Sequence, residues 1–333
     1  MNASINYIIF IIIKSIFIIL VVLLTIALIT YQERKMISAI QRRKGPNKVG
    51  LFGLLQPFAD ALKLLTKENI KKNIITNKHL FLLAPFCILT FSLLGWATMP
   101  IGTYLCTLTN LQYGILYILA ISGSSVYFFI MAGFFSGSIY SFLACLRAAA
   151  QVIAYELSMG FIVLTVVVTT GSLNPLIIVE KQSHIWFIIP LLPVAILFYI
   201  IILAENNRHP FDFIEAESEL VSGYHTEYSS WAFVFFFLAE YGTALYMKAF
   251  YVTLFLGGWL PPLNCFPFDQ IPGVIWFSLK LNFLFFIDVL IRAGIPRTRY
   301  DQLMLIGWKT FLPFSFAFFF FWTTILWVFN ILP

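Results

Sequence analysis

The sequence predicts an all-α protein, a polytopic transmembrane helical bundle of about eight spans with an amphipathic surface helix after the first. Three observations carry this expectation. Of 333 residues, 60% are hydrophobic and only 11% charged, and the mean hydropathy is +0.90; soluble domains carry about 45–50% apolar and about 25% charged residues. Apolar stretches of roughly 20 residues, enough to cross a bilayer as helix, recur along the chain. The alternating segments of about 10 residues that build a transmembrane β-barrel do not occur. A water-soluble enzyme is excluded.

Span 1 covers 8–31. It is too long for a signal-peptide core, and no Arg- and Ser-rich targeting stretch or small-residue cleavage site accompanies it, so it reads as a permanent membrane helix. Lys14 is expected to snorkel to the membrane face. After the span, Leu51, Leu54, Leu55, Phe58, Leu62 and Leu65 form one stripe at helical spacing, while Gln56, Asp60, Lys63 and Lys67 lie off it. Pro57 fits only a first turn, so the helix is expected to begin near it. Such a helix lies on the membrane surface or packs on a soluble partner.

Spans 2, 3 and 4 cover 80–100, 112–135 and 146–170, and span 4 carries Glu156 well inside it. A charge near the bilayer centre costs about 2.5–3.5 kcal/mol or more and usually marks an ion path, although a structural pair is the competing reading. Span 5 covers 185–204. The loop after it holds six of the chain's fifteen acidic residues: Glu205, Asp212, Glu215, Glu217, Glu219 and Glu227. If 211–221 is helical, Asp212, Glu215 and Glu219 fall within about 60° of one another. Interleaved Phe211, Phe213, Ile214 and Leu220 suggest partial burial. Clustered carboxylates repel, so some should hold protons, against the alternative of a solvated acidic loop. Span 6, at 231–256, carries Glu240. Span 7, at 274–291, ends with Asp288 and Arg292 at i, i+4, which predicts a helix-end ion pair. Span 8 covers 303–327. No repeat or low-complexity tract divides the chain, so 1–333 reads as one membrane domain.

With eight spans, 17 of the 21 Lys and Arg residues fall on the side of the loops after spans 1, 3, 5 and 7, and only Lys181 on the other. Lys14, Lys248 and Lys280 lie within spans. This asymmetry places those loops on the cytoplasm-equivalent side and both termini opposite. The net charge of +6 then concerns orientation and anionic lipid, not nucleic acid. The cysteines at 87, 106, 145 and 265 form no C-x-x-C pair and read as small hydrophobes. Without clustered Cys, no iron–sulfur ligation by this chain is expected. His79, His184, His209 and His225 lie outside the span cores, so no axial haem pair is expected either.

Several blocks then carry a resemblance: Glu33-Arg34-Lys35, Gln41-Arg42-Arg43-Lys44-Gly45-Pro46-Asn47-Lys48-Val49-Gly50, Gly53-Leu54-Leu55-Gln56-Pro57-Phe58-Ala59-Asp60-Ala61, Leu146-Arg147-Ala148-Ala149-Ala150-Gln151, Tyr155-Glu156, Ala204-Glu205-Asn206-Asn207-Arg208 with Glu215-Ala216-Glu217-Ser218-Glu219-Leu220-Val221, and Pro296-Arg297-Thr298-Arg299-Tyr300-Asp301-Gln302. In this order, over nearly the whole chain, they resemble the membrane-subunit family of proton-pumping NADH–quinone oxidoreductase (respiratory complex I) that is called chain 1 in mitochondria and the H subunit in bacteria. The family's Trp-Ser-Asn-type stretch is replaced by Phe135-Ser136-Gly137-Ser138-Ile139-Tyr140, His209 stands where a small residue or Thr is usual, and Lys14 and Asp288 are not among the features that carry the resemblance.

The resemblance implies a subunit without its own redox cofactor, at the junction of the membrane arm and the hydrophilic arm. Ubiquinone would be the substrate, with NADH, FMN and iron–sulfur clusters on partner subunits. Loops 32–79 and 205–230 would face the hydrophilic arm, with Arg34, Phe58 and Asp60 on the quinone tunnel. Glu156, Glu205, Asp212, Glu215, Glu217, Glu219, Glu227 and Glu240 would form an acidic proton path, and Arg297, Arg299 and Asp301 an interface. Other membrane-arm and quinone-module subunits are the implied partners, with membrane lipid such as cardiolipin. The wealth of Ile, Phe and Asn points to an A+T-rich organelle genome and the mitochondrial inner membrane, with both termini toward the intermembrane space, over a bacterial plasma membrane. A membrane-bound hydrogenase module and a stand-alone ion transporter are the competing classes; neither repeated halves nor broken helices favour the transporter.

Overall fold

The computed structural model describes residues 2–68, 77–102, 110–212, 223–262 and 268–330, and every regular element among them is helical. Helix α1 (Asn2–Ile40) continues beyond the predicted end of span 1, so Glu33, Arg34 and Lys35 ride on its last turns. Helix α2 (Gln56–Leu65) is the expected amphipathic helix, with Pro57 in its first turn. Helices α3 (Lys78–Leu94) and α4 (Gly114–Phe135) follow. Helix α5 (Ile139–Thr170) starts earlier than predicted. Gly137, at φ 69°, turns the chain out of α4, and the Ser138 side chain accepts the Ser141 N–H at 3.4 Å, an N-cap that nucleates the new helix there.

Beyond the short α6 (Pro175–Lys181) lies α7 (Leu192–Glu205), then α8 (Ser230–Phe255) and α9 (Gly273–Gly294). Helix α10 (Tyr300–Ile306) continues through a π-helical turn, Gly307–Phe311, into α11 (Leu312–Val328). Among the described residues, seven helices are long and apolar enough to cross a membrane: α1, α3, α4, α5, α8, α9 and the α10–α11 unit. This is a multi-pass membrane protein.

The fifth predicted span is the exception. Its helical part, α7, has 14 residues, about 21 Å of rise against about 30 Å of hydrocarbon. Pro190 and Pro193 explain the late start. The first disfavours helix in the residue before it, and the second is tolerated only because it lies in the first turn of α7. The turns before the helix are anchored to α8, with the Ile188 N–H donating to the Phe255 carbonyl at 3.0 Å. Helix α7 therefore begins level with the far end of α8 and stops before it has crossed.

The largest core joins α1, α5, α7, α8 and α9 around Ile26, Tyr155, Phe198, Tyr246 and Phe250, all buried. A second core packs α3 and α8 around Phe81, which stacks on Tyr228 with ring centroids 4.1 Å apart. The Tyr228 hydroxyl is within hydrogen-bonding distance of the Phe81 and Ala132 carbonyls, at 3.2 and 3.3 Å. The outside is apolar too: Phe10, Ile13, Ile16 and Phe17 on α1 are exposed, as suits lipid or neighbouring membrane helices.

The α2 stripe of Leu54, Leu55, Phe58, Leu62 and Leu65 also faces outward, and Leu51 before it is exposed as well. Leu55→Glu is expected to weaken assembly of the chain with its neighbours or the membrane, read as lower yield of the intact assembly on native gels, with little effect on the helicity of the isolated chain. Unchanged yield would mean that the stripe covers nothing.

Candidate functional site

Because α7 ends short, the chain that follows it stays inside the bundle. Glu205, Asn206 and Asp212 are buried. Two anchors hold this 206–212 loop. The buried Gln151 side chain of α5 donates from Nε2 to the Ala204 carbonyl at 2.7 Å and to the Phe211 carbonyl at 3.2 Å. From the other side the Thr298 N–H donates to the Pro210 carbonyl at 3.3 Å. The loop thus delivers Arg208 to Glu240, ten residues into α8, about 15 Å along the helix from its start.

Arg208 is the hub of a charged cluster. Its Nε lies 3.3 Å from Glu240 Oε1 and its Nη1 lies 3.8 Å from Glu33 Oε2, while its guanidinium carbon sits 4.0 Å from the centroid of the Tyr241 ring. Burial works against the Arg208 charge, but Glu240, Tyr241 and Glu33 outweigh it and hold the guanidinium above its usual pKa. Glu33 also pairs with Arg292 of α9 and accepts a hydrogen bond from the Tyr241 hydroxyl at 2.7 Å. At the loop's end Asp212 pairs with Arg297 at 3.2 Å and meets His209 Nδ1 at 3.5 Å. Burial keeps His209 below its ordinary pKa; Asp212 opposes this, and Arg292, Arg297 and Arg208 reinforce it. The His209 contact is accordingly that of a neutral ring.

The expected Asp288–Arg292 pair is not formed. Asp288 pairs with Lys248 of α8 and accepts from the Tyr199 hydroxyl of α7, while Arg292 serves Glu33. The energetics explain the choice. An exposed i, i+4 pair is worth only about 0.2–0.5 kcal/mol, whereas leaving a buried charge without its partner costs about 3–5 kcal/mol.

Beside the cluster lies a cavity of about 40 Å³ whose wall is largely apolar but includes Ser92, Ser122, Ser125, Glu205, Glu240 and Thr243. That is room for a few waters. Among the described residues, Glu205 Oε2 and the Tyr246 hydroxyl find no hydrogen-bond partner. Glu156 of α5 lies within Coulombic range of Glu205, and its carboxylate rests on Gly123 of α4, where a methyl group would collide with it. No ion pair forms at Glu156 among the described residues, so the structural-pair reading finds no support there. The half-buried Glu227 sits in the turn Gly223–Glu227 with His225, whose pKa is lowered to about 4 by burial despite Glu240 and Asp212.

At the end of α1, Arg34 pairs with Asp60 of α2 at 2.6 Å. Both line a cavity of about 520 Å³ between α1, α2 and α8, together with Phe58, Leu23, Phe237 and Leu238. Its polar side chains are Thr30, Arg34, Asp60 and Lys63, and the rest of its wall is apolar.

The structure thus brings Arg34, Phe58 and Asp60 together at one cavity. It brings Glu205 and Glu240 together at another, with Glu156 beside Glu205 and Asp212 on the loop that reaches Glu240. Arg297 faces Asp212, while Arg299 and Asp301 are exposed at the start of α10. Glu215, Glu217 and Glu219 lie outside the described residues, as do Cys106 and Cys265. Asp212 itself precedes any helix, in irregular chain. Sequence reasoning passed over Glu33, Arg208, Gln151, Tyr241 and Lys248 as site residues. The available signal was charge count: Lys248 is a cation inside an apolar span, and such a charge needs a partner.

The model of the NADH dehydrogenase family matches residues 13–323. The chain is 50% identical over 321 residues to NADH-ubiquinone oxidoreductase chain 1 of Chondrus crispus, covering 96% of this chain and 98% of that one. It is 51% identical over 294 residues to the H subunit of NADH-quinone oxidoreductase from Rhodospirillum centenum, covering 88% and 87%, and 52% identical over 295 residues to that of Rickettsia prowazekii, covering 88% and 86%.

Replacing Gln151 with Leu removes the side-chain donor to the Phe211 and Ala204 carbonyls, the second of which keeps the Asn207 N–H, at about 1–3 kcal/mol. The variant is expected to lower the thermal stability of the purified assembly and to loosen the 206–212 loop, seen as faster backbone amide exchange at Arg208. Exchange there at the native rate would show that Gln151 does not anchor the loop.

Proposed function

The chain belongs to the NADH dehydrogenase family, and from that premise we propose that it works as the membrane subunit of a proton-translocating NADH–quinone oxidoreductase, where it walls the quinone's path and couples quinone reduction to proton movement. NADH oxidation and the redox centres belong to partner subunits, and the quinone is the shared substrate. The relatives' names support the enzyme. The single observation that supports the coupling role is the loop of buried charge that α7 leaves inside the bundle, bordered by a cavity able to hold water.

The chemistry follows from the two cavities. A quinone is an apolar tail on a polar head. The cavity between α1, α2 and α8 offers both: apolar walls for the tail, and Arg34 with Asp60, whose ionic groups can meet the head carbonyls. Arg34 is half exposed, so its charge is only weakly committed to Asp60, since an exposed ion pair is worth about 0.2–1 kcal/mol. Phe58 closes the wall beside them.

The charged cluster supplies the electrostatic link. Reduction places negative charge on the quinone before protons arrive, and a charge of that kind is felt by buried groups through low-dielectric protein. At 3.3 Å and an effective dielectric of about 20, the Arg208–Glu240 attraction is about 5 kcal/mol before desolvation is counted. Loss or gain of one proton at Glu240 or Glu205 is therefore a large local event, and the serine, threonine and tyrosine hydroxyls around the cavity can carry a proton through water. Protons would pass among Glu240, Glu205 and Glu156, with Glu215, Glu217, Glu219 and Glu227 as further members of the path toward the hydrophilic arm. Under this reading the basic loops face the matrix or cytoplasm, and anionic lipid such as cardiolipin surrounds them.

Two substitutions test the reading in the assembled complex. Arg34→Ala should raise the apparent quinone KM or lower quinone-dependent turnover severalfold, while electron transfer from NADH to a soluble artificial acceptor persists. Equal loss of both activities would place Arg34 in assembly and remove it from the quinone path. Glu240→Gln keeps the side chain's size and removes its titrating group. Quinone reduction and proton pumping should fall together, by about tenfold or more, with the artificial-acceptor activity retained. Normal pumping and turnover in that variant would sink the acidic path.

A further inference from the structure

Lys248 and Asp288 are not explained by a quinone cavity or by the acidic path. Lys248 sits in α8 with a side chain only 2% exposed, paired with Asp288 of α9, and its ammonium lies 3.4 Å from the centroid of the Phe285 ring. The Tyr199 hydroxyl of α7 donates to the same carboxylate. Three helices thus converge on one amine. Asp288 also opens on a second small cavity, shared with Gln32, Glu33, Arg208, His209 and Arg292. Its volume of about 30 Å³ accommodates one or two waters. The pair is therefore one carboxylate away from the Arg208 hub.

Charge counting shows why this matters. Among the described residues the cluster and its extensions contain four carboxylates, Glu33, Asp212, Glu240 and Asp288, and four cations, Arg208, Lys248, Arg292 and Arg297. Burial holds His209 below its ordinary pKa, and Tyr199 and Tyr241 enter the set as hydroxyl donors. The set balances. Adding a proton to Glu240 or Glu33 leaves one positive charge in excess, inside protein where unbalanced charge is costly. An arginine cannot relieve the excess, because its guanidinium does not deprotonate in proteins, whereas a buried lysine can. Lys248 is the only lysine in the set.

We propose that Lys248 and Asp288 form a proton-exchange site of this chain, in which Lys248 releases a proton through Asp288 into the shared cavity when a carboxylate of the Arg208 cluster gains one. In the first step an N–H bond of the Lys248 ammonium breaks and an O–H bond forms on Asp288, leaving a neutral amine beside a carboxylic acid. In the second, Asp288 passes that proton to water in the cavity and returns to carboxylate. One proton leaves, the site's charge goes from zero to minus one, and the excess at the hub is cancelled. Tyr199 holds the carboxylate between the amine and the cavity throughout. This inference rests on the proton-coupling function proposed above and adds to it a site on α8 and α9 that shares a cavity with Arg208 and His209 of the loop.

The test uses the assembled complex in sealed vesicles. Lys248→Arg keeps the charge and the pair with Asp288 but cannot release a proton. The double variant Lys248→Met with Asp288→Leu removes both charges together, a change that a purely structural buried pair tolerates. Both variants should assemble, with artificial-acceptor activity at the native level, and both should lower quinone-coupled proton pumping by about tenfold. Native pumping in either variant overturns the proposal, and so does failure of both to assemble, which would make the pair structural only. The broader reading stands or falls separately, on Glu240→Gln: if that variant pumps normally the acidic path is lost whatever Lys248→Arg does, and if only Lys248→Arg pumps normally the present site alone is lost.

Discussion

The architecture depends on a helix that is too short. Helix α7 has 14 residues, and a bilayer needs about 20. The helices long enough to cross can place their polar ends near the membrane surface. This one stops inside, so the next residues must find partners in the bundle or remain unsatisfied, at several kilocalories per buried group. Gln151 supplies the backbone's donors, Thr298 supplies another, and Glu33 and Glu240 meet the guanidinium of Arg208.

From that constraint the ion pairs follow. Once Arg208 lies about 15 Å along α8, its charge has to be matched there, which fixes Glu240 on α8 and Glu33 on α1. Glu33 then draws Arg292 from α9. Arg292 would otherwise have been free for Asp288, so Asp288 turns to Lys248. Each pairing is a consequence of the one before. The resulting network ties α1, α7, α8 and α9 together by charge where their apolar faces also pack. Buried pairs of this kind contribute little net stability against their desolvation.

The same placement gives the two cavities their relation. The larger opens between α1, α2 and α8, with Arg34 on its wall; the smaller sits behind α8 around Glu205 and Glu240. Helix α8 is the wall between them and carries Glu240 and Tyr241 toward the Arg208 hub. Helix α1 offers Arg34 to the larger cavity and, one residue before it, Glu33 to the hub.

The sequence by itself determined the membrane class, the number of apolar stretches, the amphipathic α2 and the family, because hydropathy and helical periodicity are local properties of consecutive residues. It also made Glu156 and Glu240 conspicuous as charges inside apolar stretches, while Lys248, equally visible as a charge inside a span, was passed over as a site residue. Only the tertiary structure decided who meets whom. Asp288 and Arg292 are four apart on one helix and look like a pair, yet each is claimed by a stronger need on a neighbouring helix. Glu33 and Arg292 are 259 positions apart and nothing local links them. The shortness of α7 was legible only in part, since Pro190 and Pro193 warned of a late start, but its consequence, a charged loop inside the bundle, depends on the depth at which α5 and α8 receive it. Pairing of buried charges is a global minimisation over all helices, and no window of sequence contains the competitors.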